Sequence, residues 1–453
     1  MSQPPSCCQL WSESARGFKA AGTGGAGCCL LSVARVCQKK LPWVSAVLSQ
    51  DVRPLVYGNC MAGSVVDLFS GGGGASTGFH AHPDFQIVGA ADAQLGKPSS
   101  GNGTLDCNAT YLLNIGIEPV EADLGSIDPS ALAEKLGIKD SPTVLIACPP
   151  CTGFSRTLAK NHLEDDHRNS LVGKTVDFVA EFEPQILIME NARELVMGRF
   201  NVHLASLVED LQHRLGYEVK PEIHFLNRFG LPQKRERAVL IAVKRGLPLR
   251  TLDDLWEGYT VDPKATHVRR AIWELPALKA GGASTADPMH IAPAIRDKVV
   301  FERLNAIPAD GGSWFDLATH PEASQLLTPT MRDRLAKDDL GSHPDVYGRM
   351  WWDRPAPTIK RECSHVGNGR YSHPEQDRLC SVRELAILNG FPANYTFAGS
   401  INNMYRHIGD AVPPLISFQL AALASWILGG AQPNPDNFIM PNTHLRPSDV
   451  VRI

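Results

Sequence analysis

Between residues 64 and 245 short apolar runs alternate with stretches of helical period. Val65–Phe69, Gln86–Ala91, Val144–Ala147, Ile186–Met189 and Ala238–Val243 have the length and apolar density of buried strands. Ala75–His80, Ser130–Leu136, Ser170–Phe182 and Val202–Leu215 repeat apolar positions every three to four residues and predict helices. Strands alternating with helices predict an α/β fold, with a mostly parallel, doubly wound sheet. From 246 to 350 the periodicity weakens and Pro, Gly and His accumulate, which predicts a loop-rich second domain. Pattern returns over 351–430, with PAPTI and helices at Ser381–Asn389 and Leu415–Leu428; residues 431–453 read as a C-terminal tail. Residues 1–60 are unpatterned and expected to be disordered. An ordered pattern begins directly after Met61, where the biological start is expected.

Composition changes this picture little. The 453 residues are 43% hydrophobic and 20% charged, with a net charge of −4, as in ordinary globular proteins. A globally basic, histone-like binder is excluded, but a local basic groove is not. No run approaches the ~18 uncharged apolar residues of a membrane helix, so no membrane association is expected. Six of the 11 cysteines crowd into the first 60 residues. The other five are scattered, unlike a disulfide framework, and a reducing cytoplasm is expected. No metal site is expected, because the cysteines lack histidine partners at zinc-ligand spacing.

Candidate chemistry lies at the strand ends. VVDLFSGGGGASTGF (65–79) is a strand, a glycine turn and a helix start. Such a turn brings backbone N–H groups close to a ligand, or is only a tight turn. Asp92 ends the second strand, where a carboxylate can accept from a ribose hydroxyl. Asp123, in EADLGSID, can lie near a base; either aspartate can equally be a solvated loop residue or a cap. VLIACPPCTGFSR (144–156) places Cys151 beyond a buried strand, where a nucleophile belongs. Cys148 and Cys151 are also spaced as a redox pair or half a zinc site. ILIMENARELV (186–196) ends a strand in Glu190 and Asn191, the latter also a candidate N-cap. FGLPQKRERAVLIAV (229–243) puts Arg235 and Arg237 on one face, suited to a phosphate or a base edge, or to a solvated strand edge.

In order along the chain, DLFSGGGG, PPCTGFS, MENA, QKRER, SVRELAILNGFP (381–392) and IGDAVPP (408–414) resemble the motifs of the DNA cytosine-5 methyltransferases, over roughly residues 64–430. The resemblance implies a Rossmann-like methyltransferase domain using S-adenosyl-L-methionine, formed by 61–245 and 351–430, with a target-recognition domain inserted at 246–350. It implies double-stranded DNA as partner, a target cytosine flipped from the duplex, Cys151 as nucleophile at C6 and Glu190 as proton donor to the ring. Arg237 is then expected at the cytosine O2, Arg235 behind the loop or on phosphate, and Asn191 bracing the cysteine loop. For the cofactor it implies Phe69 at the adenine, the Gly71, Gly72, Gly73 and Gly74 backbone, Asp92 at the ribose, Asp123 at the adenine amine, and Pro149, Asp410 and Val412 nearby. Pro150, Ser155, Gln233 and Thr358 are expected at the substrate. The last motif is expected to pack beside the first.

Two departures from the family pattern carry charge. Asp410 replaces the usual Asn of the last motif, and Lys360-Arg361-Glu362 replaces small polar residues after PAPTI; Lys360 and Arg361 are expected to meet phosphate. A third, Ala192 for Val after Glu-Asn, loses only volume. Arg269, Arg270, Trp314 and the run 343–352 are candidate base readers, or else residues of the fold. The expected enzyme is a monomer, the modification half of a restriction system with a separately encoded nuclease, or an orphan or phage enzyme. A tRNA cytosine-5 methyltransferase and a catalytically impaired DNA-binding homologue are the alternatives.

Overall fold

The computed structural model describes residues 63–95, 105–150, 170–198, 201–337 and 345–453. Strands β1 (Gly63–Leu68), β2 (Phe85–Asp92), β3 (Val120–Glu121), β4 (Val144–Ala147), β5 (Ile186–Ala192), β6 (Tyr217–Phe225) and β7 (Glu236–Lys244) form one sheet in the order β3-β2-β1-β4-β5-β7-β6. The first five are parallel, and β7 runs antiparallel to both β5 and β6. This is the expected doubly wound sheet. Its connections diverge from β1 and β4, so a crevice opens beyond their carboxyl ends.

The apolar runs form strands because both faces are covered. Val65, Val144, Ile146, Ile186, Ile188, Val239 and Ile241 enter one core. Val66, Leu68, Leu145, Ala147, Leu187, Met189, Leu240 and Ala242 enter the other. The first face packs on α1 (Gly74–Ala81) and α2 (Cys107–Ile115). The second packs on α3 (Pro129–Leu136), α4 (Ser170–Phe182) and α5 (Val202–Glu209). Asp128 caps α3 by accepting from the N–H groups of Ser130 and Ala131. The helical pattern predicted to Leu215 ends in a π turn at Asp210–Arg214. Strand β6 has no sequence forecast: its Pro221 and charged positions are tolerated because it is an edge strand, bonded only to β7.

Residues 246–350 contain α6 (Lys298–Ala306), α7 (Pro329–Ala336) and short turns of helix. A small core of Ile307, Trp314, Leu317, Leu326, Leu327 and Met331 holds part of this region. Val268, Ile272, Met289 and Leu304 instead join a core with residues from α8 (Val382–Leu388) and α9 (Ile401–Asp410). Ser381 and Glu384 form a capping box at the start of α8. Helix α10 (Pro414–Ile427) follows α9 and buries its length against α1 and the sheet. The stretch Ile401–Ile427 is apolar enough to cross a membrane by length and composition, but most of it is buried inside the protein, as in a core helix. Residues 431–453, read as a tail, bury Phe438, Ile439, Met440 and Leu445 and carry β9 (Val450–Arg452), which pairs with β8 (Tyr259–Val261).

Candidate active site

The glycine loop leaves β1 through Phe69, half-buried and in the left-handed region at φ 60°. Gly71, also left-handed at φ 51°, donates its N–H to Asp92 Oδ2 at 2.9 Å, so the end of β2 grips the loop that follows β1. The other Asp92 oxygen accepts from the Gln94 N–H at 2.6 Å. A Cβ on Gly71 would meet nothing within 4 Å, whereas one on Gly74 would lie 2.5 Å from the Val412 carbonyl oxygen. The loop is therefore open at one end and closed at the other by the last motif, which packs beside the first as expected. Tyr395 donates its hydroxyl to the Gly72 carbonyl and extends that closure. Asp123 is exposed beyond β3, where its Oδ1 accepts from the Gly125 N–H at 2.9 Å within its own turn.

At the end of β4, Pro149 is buried and Pro150 is exposed. The expectations for Cys151 and Ser155 lie outside the described residues. The approach to that loop is firmly held. Asn191 donates its amide to the Pro149 carbonyl at 3.0 Å, and the Glu190 N–H points to Cys148 Sγ at 3.3 Å. Burial pushes the Cys148 thiol well above its ordinary range, reinforced by the charge of Glu190, so it resists the thiolate state that redox or metal chemistry requires.

Glu190 ends its half-buried side chain against two arginines. Arg237 Nε lies 2.9 Å from Glu190 Oε1, and Arg235 Nη2 lies 3.9 Å from the same oxygen. The register places these groups together: Ala192 of β5 pairs with Arg237 of β7. The ion pair holds the carboxylate near the carboxyl end of β5.

Several expected contacts are corrected. Arg235 is only 2% exposed and donates to the carbonyls of Ile359 and Ala411 at 3.1 and 3.0 Å. It ties the PAPTI segment to the last motif and cannot meet phosphate. Gln233 is fully buried: its amide nitrogen donates to Leu388 and Asn389, and its oxygen accepts from the Ile359 N–H, leaving nothing for substrate. Thr358 donates its hydroxyl to the Lys234 carbonyl. Trp314 is a core residue of the small cluster rather than a base reader. Arg270 is paired with Asp449 at 3.3 Å. Arg269 is bound through two nitrogens to Asp353, at 2.8 and 3.0 Å, and lies over Trp273. In the run 343–352, residues 343 and 344 lie outside the described residues, and Met350 and Trp352 are buried. Lys360 is exposed, but Arg361 is turned inward onto Asp410, Nη1 to Oδ2 3.3 Å.

The structure adds residues that the sequence reading passed over. Asp67 is buried under the glycine loop and accepts from the Ser76 hydroxyl at 2.6 Å, and Ser76 in turn meets the Tyr111 hydroxyl at 2.6 Å. Burial raises the Asp67 carboxyl to about 7, against the Ser76 hydrogen bond. A charge inside an otherwise apolar strand was the available signal. His407 packs its Cβ 3.3 Å from where a Cβ on Gly72 would stand and bonds the Leu105 carbonyl at 2.7 Å.

Comparison with known proteins bears on this arrangement. The family described as C-5 cytosine-specific DNA methylase matches residues 63–424. The Type II methylase M.HgiDII of Herpetosiphon aurantiacus is 31% identical over 374 residues, 82% of this chain and 97% of that one. The Type II methyltransferase M1.HphI of Haemophilus parahaemolyticus is 29% identical, over 81% and 87% of the two chains. Among solved structures, a putative DNA modification methyltransferase from an E. coli prophage superposes with a TM-score of 0.51 at 20% identity, over 80% of this chain and 98% of that one, a likeness of fold. With the motif-bearing strand ends gathered around one crevice and the family match spanning them, the chain belongs to the C-5 cytosine-specific DNA methylases, enzymes of DNA cytosine-5 methylation.

Proposed function

We propose that this enzyme methylates C5 of a cytosine flipped out of a specific duplex DNA sequence, using S-adenosyl-L-methionine and a transient bond to Cys151. The observation that carries the reading is Glu190 at the end of β5, held by Arg237 at 2.9 Å, beside a proline turn that Asn191 braces. The loop geometry fits the cofactor: Gly71 faces open space, and Asp92, already on the Gly71 N–H, is within reach of a ribose. Phe69 and the Gly71–Gly74 backbone would hold its nucleoside, and Val412 would close the far side. When bound, this group supplies the electrophilic methyl.

The chain's own residues prepare the base. The Cys151 thiolate forms a bond to C6, and the C5–C6 π electrons move into the ring. Glu190, as the acid, delivers its proton to N3 and accepts from the exocyclic amine. Arg237 donates to O2 and compensates Glu190 once it is anionic. C5 is then nucleophilic and would take the methyl carbon, whose bond to the donor's sulfonium sulfur would break with the electron pair left on sulfur. Loss of the C5 proton to a base expels the Cys151 thiolate from C6, N3 returns its proton to Glu190, and the aromatic ring is restored. Asn191 fixes the Pro149 carbonyl and so the take-off of the cysteine loop, an example of catalysis by positioning. The Type II methylase relatives support reading this chain as a modification enzyme.

The test is expression in a host without cytosine methylation, followed by a genome-wide map of 5-methylcytosine. The expected result is methylation at one recurrent sequence, abolished by Cys151→Ser. Glu190→Gln should lower turnover by about a hundredfold or more while duplex binding persists. Methylated RNA beside unmethylated DNA, or normal turnover of the serine variant, would refute the reading.

A further inference from the structure

Arg361 and Asp410 are both departures from the pattern that the motifs otherwise follow, and in the fold they meet. Lys360 and Arg361 pass directly over α9: a Cβ on Gly409 would lie 2.4 Å from the Lys360 carbonyl and from the Arg361 nitrogen. That backbone contact points Arg361 at the carboxylate one residue further on, Nη1 to Oδ2 3.3 Å. The guanidinium is thereby placed at the glycine-loop crevice. The link is through the residues that follow Asp410: a Cβ on Gly74 would lie 2.8 Å from Ala411 Cβ and 2.5 Å from the Val412 carbonyl oxygen.

One nitrogen of Arg361 is used and two are not. Nε and Nη2 are both withdrawn from solvent, and neither has a hydrogen-bond partner. These two share one edge of the planar fork, the edge that matches the two oxygens of a carboxylate. Buried N–H groups without acceptors are costly, so this edge calls for an anionic partner.

We propose that Arg361 binds the cofactor, offering its Nε–Nη2 edge to the α-carboxylate at the amino-acid end of the methyl donor, with Asp410 as the residue that positions it. This rests on the methyl-donor reading given above. A duplex phosphate is the weaker candidate. It would meet the exposed neighbour Lys360 first, whereas Arg361 is tied to Asp410, whose next residues Ala411 and Val412 close on Gly74 of the glycine loop. The negative charge of Asp410 then has a use in the last motif. It holds the arginine that this chain uses where the family pattern has small polar residues.

Calorimetric titration of the full chain with two nucleosides tests the assignment. S-Adenosylhomocysteine carries the amino-acid end, and 5′-deoxy-5′-methylthioadenosine lacks it. Arg361→Met should weaken the first by about tenfold or more and leave the second within about twofold. Arg361→Lys should recover part of the loss, since a point charge replaces the fork. Equal loss of both nucleosides would make Arg361 merely structural. Unchanged binding of both, with weaker duplex binding and a shallower salt dependence, would make it a phosphate contact; either result overturns the proposal alone. Wild-type protein that binds neither nucleoside would overturn the methyl-donor reading as well.

Discussion

Asp67 lies between Val66 and Leu68 in a strand that is otherwise apolar, and its carboxyl is 1% exposed. Its folded pKa of about 7 against an ordinary 3.8 fixes the sign of a pH effect. Between about pH 4 and 7 the folded chain holds a proton that the unfolded chain has lost, so this group's contribution to stability falls as pH rises through that window and stays low above it. Asp67→Asn keeps an acceptor for Ser76 and removes the titration. Denaturant unfolding at pH 5 and pH 8 should show wild type losing about 2–3 kcal/mol more than the variant across the interval. Parallel losses in both proteins would mean that Asp67 does not titrate there. The same residue shows what a motif reading hides. DLFSGGGG was legible as a loop that approaches a ligand, yet its aspartate drew no reading of its own, because its partners Ser76 and Tyr111 are 9 and 44 positions away and only the fold brings them together. Glu190 and Asn191 were legible because they end an apolar run. Gln233 was misassigned, and phosphate stayed open beside the supporting role of Arg235, because a polar side chain near a site has the same sequence signature whether it faces substrate or buried carbonyls.

Helices α1 and α10 approach more closely than side chains would permit. A Cβ on Gly78 would lie 2.2 Å from the Phe418 nitrogen and 2.3 Å from the Ser417 carbonyl carbon, both backbone atoms that cannot yield separately. The Ser417 hydroxyl donates to the Ala75 carbonyl across the same junction. Gly78→Ala should therefore destabilise by about 3 kcal/mol or more, and it should weaken cofactor binding because α1 carries the glycine loop at its start. Gly173 in α4 is the control: a Cβ there meets nothing within 4 Å, so Gly173→Ala should stabilise by about 0.5–1 kcal/mol. Thermal denaturation of the two variants checks both signs, and a harmless Gly78→Ala would refute the close packing. At this scale legibility followed burial. Strands covered on both faces, such as β4, and the amphipathic α4 match their forecast bounds. Strand β6 was missed because an edge strand alternates weakly and tolerates Pro221. Helix α9 was missed because its buried face includes His407 and Gly409, which no apolar count registers.

Across the whole molecule, the sheet is completed by segments remote in sequence. Helix α10 covers the start of the chain's ordered pattern, and residues after 430 cover the start of the irregular region: Trp256 donates to Gln419 of α10 at 2.8 Å and packs on the Phe438 ring, 5.0 Å between centroids. Such closures leave little trace in local pattern, because residues 431–453 carry only the short runs FIM and VV among Pro, Asn and Asp, and so read as a tail. Their burial says otherwise about their energetics. Phe438 is fully buried in the sheet's own core, with Ile439 and Leu445 beside it. Phe438→Ala should cost about 3–5 kcal/mol, a large share of the roughly 5–15 kcal/mol by which domains are stable. Removing residues 431–453 deletes all three side chains and β9 together and uncovers Trp256, so the shortened chain should lose its cooperative unfolding transition and bind neither cofactor nor DNA. The informative comparison is removal of residues 450–453 alone. That takes away only the two-stranded β8–β9 pairing, whose outer residues Val451 and Ile453 are exposed, and should cost about 1–2 kcal/mol with binding intact. If the longer deletion also melts cooperatively near the wild-type temperature, the core does not depend on these residues.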